Sequence, residues 1–186
     1  MKRINDIFYS LQGEGRNTGR AAVFVRFAGC NLKCSFCDTD FDDFTEMDDA
    51  AILREVGQWP ARFVVLTGGE PSLQADAALI ELLHRHGYEV AMETNGTHPL
   101  PPGIDWITCS PKGKTVLTHC DELKCIFTGN GFAAPDTIQA RYRYLQPCDT
   151  GDARRNTDIV EQCVEYIKSH PEWRLSLQTH KLAGFK

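Results

Sequence analysis

Six short apolar runs, each ending in a polar or Gly/Pro motif, constrain this chain most: AAVFVRFAGC, FVVLTGGEP, YEVAMETNG, DWITCSPK, YRYLQPCD and LSLQTHK. Runs of ~4 to 8 residues rich in β-branched and aromatic side chains read as buried strands rather than helices. ELKCIF adds a further strand. Helical patterns lie between some of them. Asp48 or Asp49 can cap a helix whose face is Ile52, Val56 and Trp59. A second pattern covers about 74–86, with Leu79, Leu82, Leu83 and His86, and stops at Gly87. A third runs about 157–169 behind Thr157, with Val160, Cys163, Val164 and Ile167 on one side. Strand, helix, strand in succession implies parallel pairing with right-handed crossovers. Between 92 and 142 the connections are too short or broken for full crossover helices, apart from a turn or two around APDTIQARY. The expected fold is α/β: a single domain over 1–186 forming a truncated, partial (β/α) barrel of about six parallel strands and about three main helices.

Ligands of such a fold sit where the carboxyl ends of the strands meet, and the polar motifs all fall there. The most distinctive of them places Cys30, Cys34 and Cys37 in the spacing C-x3-C-x2-C. A disulfide needs two thiols. Structural zinc needs four ligands, and Asp38, His180 or Cys148 could complete the set. An iron–sulfur cubane is normally held by four thiolates, so three leave one iron open to an exogenous chelator. The other cysteines, Cys109, Cys120, Cys125, Cys148 and Cys163, mostly lie inside apolar runs and read as small core residues; Cys120 and Cys125 as a second site is the weaker alternative. The N-terminus has no apolar signal region and no run approaches the ~18 residues of a membrane span, so a reduced, cytoplasmic setting is expected. A net charge of −5, with no basic run longer than the arginine pair of DARRN, argues against nucleic acid as a partner.

The remaining motifs each have a plain reading and a functional one. In TGGEP two glycines allow close approach of backbone to a ligand, and Glu70 could accept from a ligand ammonium; alone, the motif is a tight strand-to-helix turn. METNG offers Glu93, Thr94 and Asn95 to ribose hydroxyls or a carboxylate, SPK offers Ser110 and Lys112, and QPCD offers Gln146 through Asp149; each could equally be a capped turn. Arg26, on a strand among apolar neighbours, could grip a carboxylate bidentately or form a rim ion pair. QGEG is by itself a flexible polar turn.

C-x3-C-x2-C after the first barrel strand, followed by GGEP after the next, resembles the radical S-adenosylmethionine (SAM) superfamily. That resemblance implies a [4Fe-4S] cluster on Cys30, Cys34 and Cys37, with SAM chelated to the open iron. It also implies SAM contacts from Phe36, Asp38, Gly69, Glu70, Glu93, Asn95, Ser110, Pro111, Lys112, Gln146, Pro147, Cys148 and Asp149. SLQGEG, VFVRFAGCNLKCSFCDT, DELK and LQTHK together resemble the 7-carboxy-7-deazaguanine synthase family, over motifs from residue 10 to residue 181. That family contracts 6-carboxy-5,6,7,8-tetrahydropterin to the deazapurine with loss of ammonia on the route to queuosine, a tRNA modification, and regenerates SAM. The likeness implies substrate contacts from Leu11, Gln12, Gly13, Glu14, Arg26, Thr67 and His180, and Mg2+ on Thr39, bridging to the substrate carboxylate. Gln178, Phe185 and Lys186 are further candidates to line the site. It implies an electron donor of the flavodoxin or ferredoxin type, and a homodimer. Two rival readings stand beside it: a glycyl-radical-enzyme activating enzyme, which would need a protein-docking face, and a non-catalytic zinc-binding module.

Overall fold

The computed structural model describes residues 1–34 and 43–186. Its strands are β1 (Lys2–Leu11), β2 (Ala21–Phe27), β3 (Thr45–Met47), β4 (Phe63–Gly68), β5 (Glu89–Thr94), β6 (Trp106–Cys109), β7 (His119–Phe127), β8 (Gln139–Pro147) and β9 (Arg174–Leu175). They form one sheet in the order β3-β1-β2-β4-β5-β6-β7-β8-β9. The six strands β2 and β4 to β8 run parallel, as expected, with the two-residue β9 added parallel at one edge. The helices are α1 (Asp49–Val56), α2 (Ala77–Arg85), α3 (Ala153–Ser169) and the short α4 (Thr179–Ala183). Among the described residues no α-helix occurs between β5 and β8, so these parallel strands are joined by irregular connections. Among the described residues no helix is long and apolar enough to cross a membrane.

Two strands have no counterpart in the sequence reading. β1 pairs antiparallel with both β2 and β3, and its register slips between Ile4 and Asp6. The irregularity breaks the period of two: Ile4 and Ile7 pack with the helices while Phe8 faces the other side. An alternation of that kind is invisible to a strand template.

Each main helix begins where an aspartate can cap it. Asp48 accepts from Ala51 N at 2.7 Å, Asp76 from Leu79 N at 3.0 Å, and Asp152 from Arg154 N and Arg155 N at 2.9 and 3.1 Å. The third helix therefore starts ahead of the expected Thr157, whose hydroxyl instead donates to Ala153 O. The second starts at Ala77, because Pro71–Leu73 is a separate 3-10 turn. It buries Leu79, Ile80 and Leu83, while His86 is exposed. Trp59 lies past the end of α1 and stacks on Tyr9, 5.6 Å between centroids. Of LSLQTHK only its first residue, Leu175, is strand, as the end of β9; Thr179 opens α4.

On the outer face of the sheet, α1 and α2 cover Val23, Val25, Val64, Leu66, Val90 and Met92. Nearby, α3 covers Leu123, Cys125 and Leu145, with Cys109 and Cys163 in the same cluster, so these cysteines are core residues. The inner face begins apolar, with Phe8, Ala22, Phe24, Phe63, Val65 and Ala91 packed around Trp106. Continuing the same alternation toward the carboxyl ends brings Arg26, Thr67, Glu93, Lys124 and Gln146 onto this inner face.

The sheet does not close by strand pairing. The gap between β1 and the β9 edge is spanned by the loop after β1 and by the C-terminal segment. Gly15 N donates to Ser176 Oγ (3.0 Å), Thr179 N and Oγ1 to Gly13 O (3.0 and 2.8 Å), and Ser10 Oγ to Lys186 O (2.6 Å).

Candidate active site

The end of β4 is stitched to the loop that carries the cysteines. Gly68 has φ +105°, and a Cβ there would press on Phe27 O, on Phe27 N at 2.5 Å and on Arg26 Cγ at 2.7 Å. Gly69 N donates to Phe27 O and Glu70 N to Gly29 O, both at 2.9 Å. Gly68 is thus needed for the approach of one strand end to another. Beyond it, Cys30 Sγ accepts from Leu32 N at 3.4 Å, and Asn95 Nδ2 donates to Asn31 Oδ1 at 3.1 Å. Cys30 and Cys34 lie on the wall of a cavity of ≈ 330 Å³. Phe36, Cys37, Asp38 and Thr39 fall outside the described residues.

Every expected substrate contact lines that one cavity: Leu11, Gln12, Gly13, Glu14, Arg26, Thr67 and His180. From the SAM set, Gly69, Glu93, Asn95, Ser110, Lys112 and the run Gln146 to Asp149 line it as well. Two residues of that set do not. Pro111 is buried away from the cavity. Glu70, fully buried, has its oxygens occupied within the protein: Oε1 accepts from Ser72 N, Ser72 Oγ and Thr94 Oγ1, and Oε2 from Asn95 N at 2.7 Å. A carboxylate so placed ties the β4 loop to the end of β5; it is not open to a ligand ammonium. Cys148, read first as core, is half-buried on the cavity wall.

Arg26 projects from β2 over the Phe8 ring, 5.7 Å from guanidinium carbon to ring centroid, and Phe8 stacks on Phe24 at 5.0 Å. Its Nε is buried without a hydrogen-bond partner among the described residues. A buried, unsatisfied guanidinium N–H costs free energy that an anionic ligand would recover.

Across the cavity stands a charged cluster absent from the sequence reading. Lys124, 3 % exposed on β7, donates to Glu14 Oε2 at 2.5 Å and to Glu93 Oε2 at 3.1 Å. Gln146 and Gln178 donate to Glu14 Oε1 at 3.1 and 3.0 Å, and Gln12 Nε2 to Glu93 Oε1 at 2.8 Å. Burial alone would push the Glu14 carboxyl up, but the Lys124 ammonium and the donated hydrogen bonds outweigh it and hold the group well below the usual carboxylate range. Burial likewise works against the charged form of Lys124, and the three surrounding carboxylates more than compensate, raising it. Glu122, inward-facing two residues earlier, accepts from Arg16 N at 2.9 Å; burial pushes it up to about 7 despite Lys124 and that N–H. The signal for Lys124 was present in ELKCIF: a charged residue on an otherwise apolar strand, in phase with Glu122.

Cys30 and Cys34 on one cavity wall are two of the thiolates that a [4Fe-4S] cluster would take. Among the described residues no three of His, Cys, Asp or Glu gather as a metal site.

Comparisons with known proteins agree with this geometry. The family model "Radical SAM superfamily" matches residues 24–112. A 7-carboxy-7-deazaguanine synthase of Bacteroides thetaiotaomicron is 53% identical over 188 residues, covering 100% of this chain and 100% of the relative. Another, from Nitratidesulfovibrio vulgaris, is 45% identical with 98% of each covered. The crystal structure of QueE from Escherichia coli superposes with a TM-score of 0.77 at 29% identity, covering 95% of this chain and 93% of that one.

Proposed function

Because the chain belongs to the 7-carboxy-7-deazaguanine synthase family of radical SAM enzymes, we propose that the cavity on the inner face receives SAM and the carboxylated pterin together, each on its own strand ends. The activity is the family's: a radical SAM lyase reaction in queuosine biosynthesis. When bound, the [4Fe-4S] cluster and SAM would supply the one-electron radical chemistry that acts on the pterin. The protein's part is binding, orientation and exclusion of water.

Cys30, Cys34 and Cys37 supply the three thiolates. Gly69, Glu93, Asn95, Ser110, Lys112 and the Gln146 to Asp149 stretch receive SAM, together with Phe36 and Asp38, which flank Cys37 in the sequence. Arg26 receives the pterin carboxylate; the observation that carries this assignment is its buried, unpartnered Nε on the cavity wall. Phe8 and Phe24 form the apolar floor beneath it. Leu11, Gln12, Gly13, Glu14, Thr67 and His180 surround the heterocycle. Thr39 would supply a hydroxyl oxygen to Mg2+, a hard cation that takes oxygen ligands and keeps waters. A flavodoxin or ferredoxin delivers the electron. A homodimer belongs to the same reading, and the exposed Tyr9–Trp59 stack is apolar surface that such a contact would cover.

Anaerobic reconstitution, followed by incubation with SAM, reductant, Mg2+ and 6-carboxytetrahydropterin, tests this directly. The expected result is a brown protein with about four irons per chain that forms the deazapurine. Cys34→Ala should lose both iron and turnover. Arg26→Ala should keep the cluster and SAM cleavage but raise KM for the pterin about 10- to 100-fold, the scale of a lost charge-assisted hydrogen-bond pair. A colourless zinc protein, or one that cleaves SAM and leaves the pterin untouched, would overturn the reading.

A further inference from the structure

The two ligand regions share one cation. Lys124 reaches Glu14, on the loop after β1, and Glu93, at the end of β5, with a single ammonium. Two more bonds close a ring: Glu93 Oε1 accepts from Gln12 Nε2 at 2.8 Å, and Gln12 Oε1 accepts from Glu14 N at 3.1 Å. Four groups from three distant parts of the chain, at residues 12–14, 93 and 124, thus hold one another in place beside the cavity. Neither neighbour of Lys124 faces this ring; Leu123 and Cys125 point into the core beneath α3. The ring carries two carboxylates and one ammonium, so Lys124 has no substitute among its members for offsetting their charge.

We propose that Lys124 is a positioning residue that couples the two ligand subsites, making the binding of SAM and of the pterin mutually favourable. This rests on the assignment of Glu93 to the cofactor and of Gln12 and Glu14 to the substrate. A ligand that engages Glu93 fixes Lys124 and Gln12, which fixes the substrate loop. A ligand that engages the loop fixes Glu93 through the same atoms. Whichever binds first holds the shared ring against rearrangement, and the second meets groups already fixed in that geometry. The effect must be equal in both directions.

The test uses the reconstituted holoenzyme with its cluster left oxidised, so that both ligands bind without turnover. The dissociation constant of SAM is measured by calorimetry with and without saturating 6-carboxytetrahydropterin, and the pterin constant with and without saturating SAM. The wild-type protein should show the same tightening in both directions, about 5- to 150-fold. Lys124→Met should reduce the factor to less than about 2-fold while each ligand alone still binds. Lys124→Arg, which keeps the charge, should retain part of it. If Lys124→Met fails to fold because Glu14 is left buried and uncompensated, Lys124→Met/Glu14→Gln removes that charge and decides the matter by the same ratio. Binding of both ligands without synergy in the wild type, or full synergy in the double variant, overturns the role of Lys124 alone. Absence of pterin binding by the wild-type holoenzyme overturns the substrate assignment, and the coupling falls with it.

Discussion

Gly68 shows how narrow a residue-level requirement can be. Its left-handed φ of +105° and the contact of any Cβ with the Phe27 backbone leave room for hydrogen alone. Gly68→Ala should lose about 1–3 kcal/mol in chemical denaturation and displace Arg26, whose Cγ lies 2.7 Å from the added carbon. The glycine pair was legible in TGGEP, but its partner was not: one strand end meets another there. Glu70, next in line, was legible only as a polar residue at a strand end; its four donors come from residues up to 25 positions away. Glu122 carries a pH dependence. Burial raises its carboxyl from the model-peptide value of 4.5 to about 7. An acid whose pKa is higher folded than unfolded favours the folded state while protonated, so the contribution is complete below about 4.5 and fades as pH rises through about 7. Relative to Glu122→Gln, the wild-type protein should therefore lose on the order of 1–3 kcal/mol between about pH 5 and pH 8, read from denaturation midpoints across that range.

Among the elements, helix ends separate local signal from local noise. Asp152 accepts from two N–H groups at the start of α3, whereas Thr157, a residue of equally good capping type, sits inside it. Asp152→Ala should cost about 1 kcal/mol and Thr157→Ala much less, a contrast that urea titration of the two variants can check. The earlier start lengthens α3, whose Ile159 and Cys163 pack on Leu123, Cys125 and Leu145. β7 carries the complementary lesson. Its alternation sends Leu123, Cys125 and Phe127 outward under α3 and Glu122 and Lys124 inward, so a single strand builds both a core and a charged cavity wall. Period-two reading of ELKCIF assigns faces; it assigns no partners.

For the whole molecule the decisive feature is an open sheet closed by chain segments rather than by strand pairing. Ser176 is one of the pins: its hydroxyl accepts from Gly15 N and donates to buried Gln146 Oε1, both at 3.0 Å. Ser176→Ala leaves both partners unsatisfied and should cost about 1–3 kcal/mol. Amide exchange should accelerate at Gly15 and through the loop after β1 while β4 and β5 amides, deep in the helix-covered core, keep their protection. The parallel strands, the motifs at their carboxyl ends, the thiolate spacing and the family likeness follow from the sequence alone, because periodicity and turn chemistry act over a few residues. Which polar side chains turn into the cavity, which become braces like Glu70, and that Lys124 joins Glu14 across 110 positions, were decided only by the tertiary structure. Burial and charge pairing depend on neighbours that only the folded chain brings together.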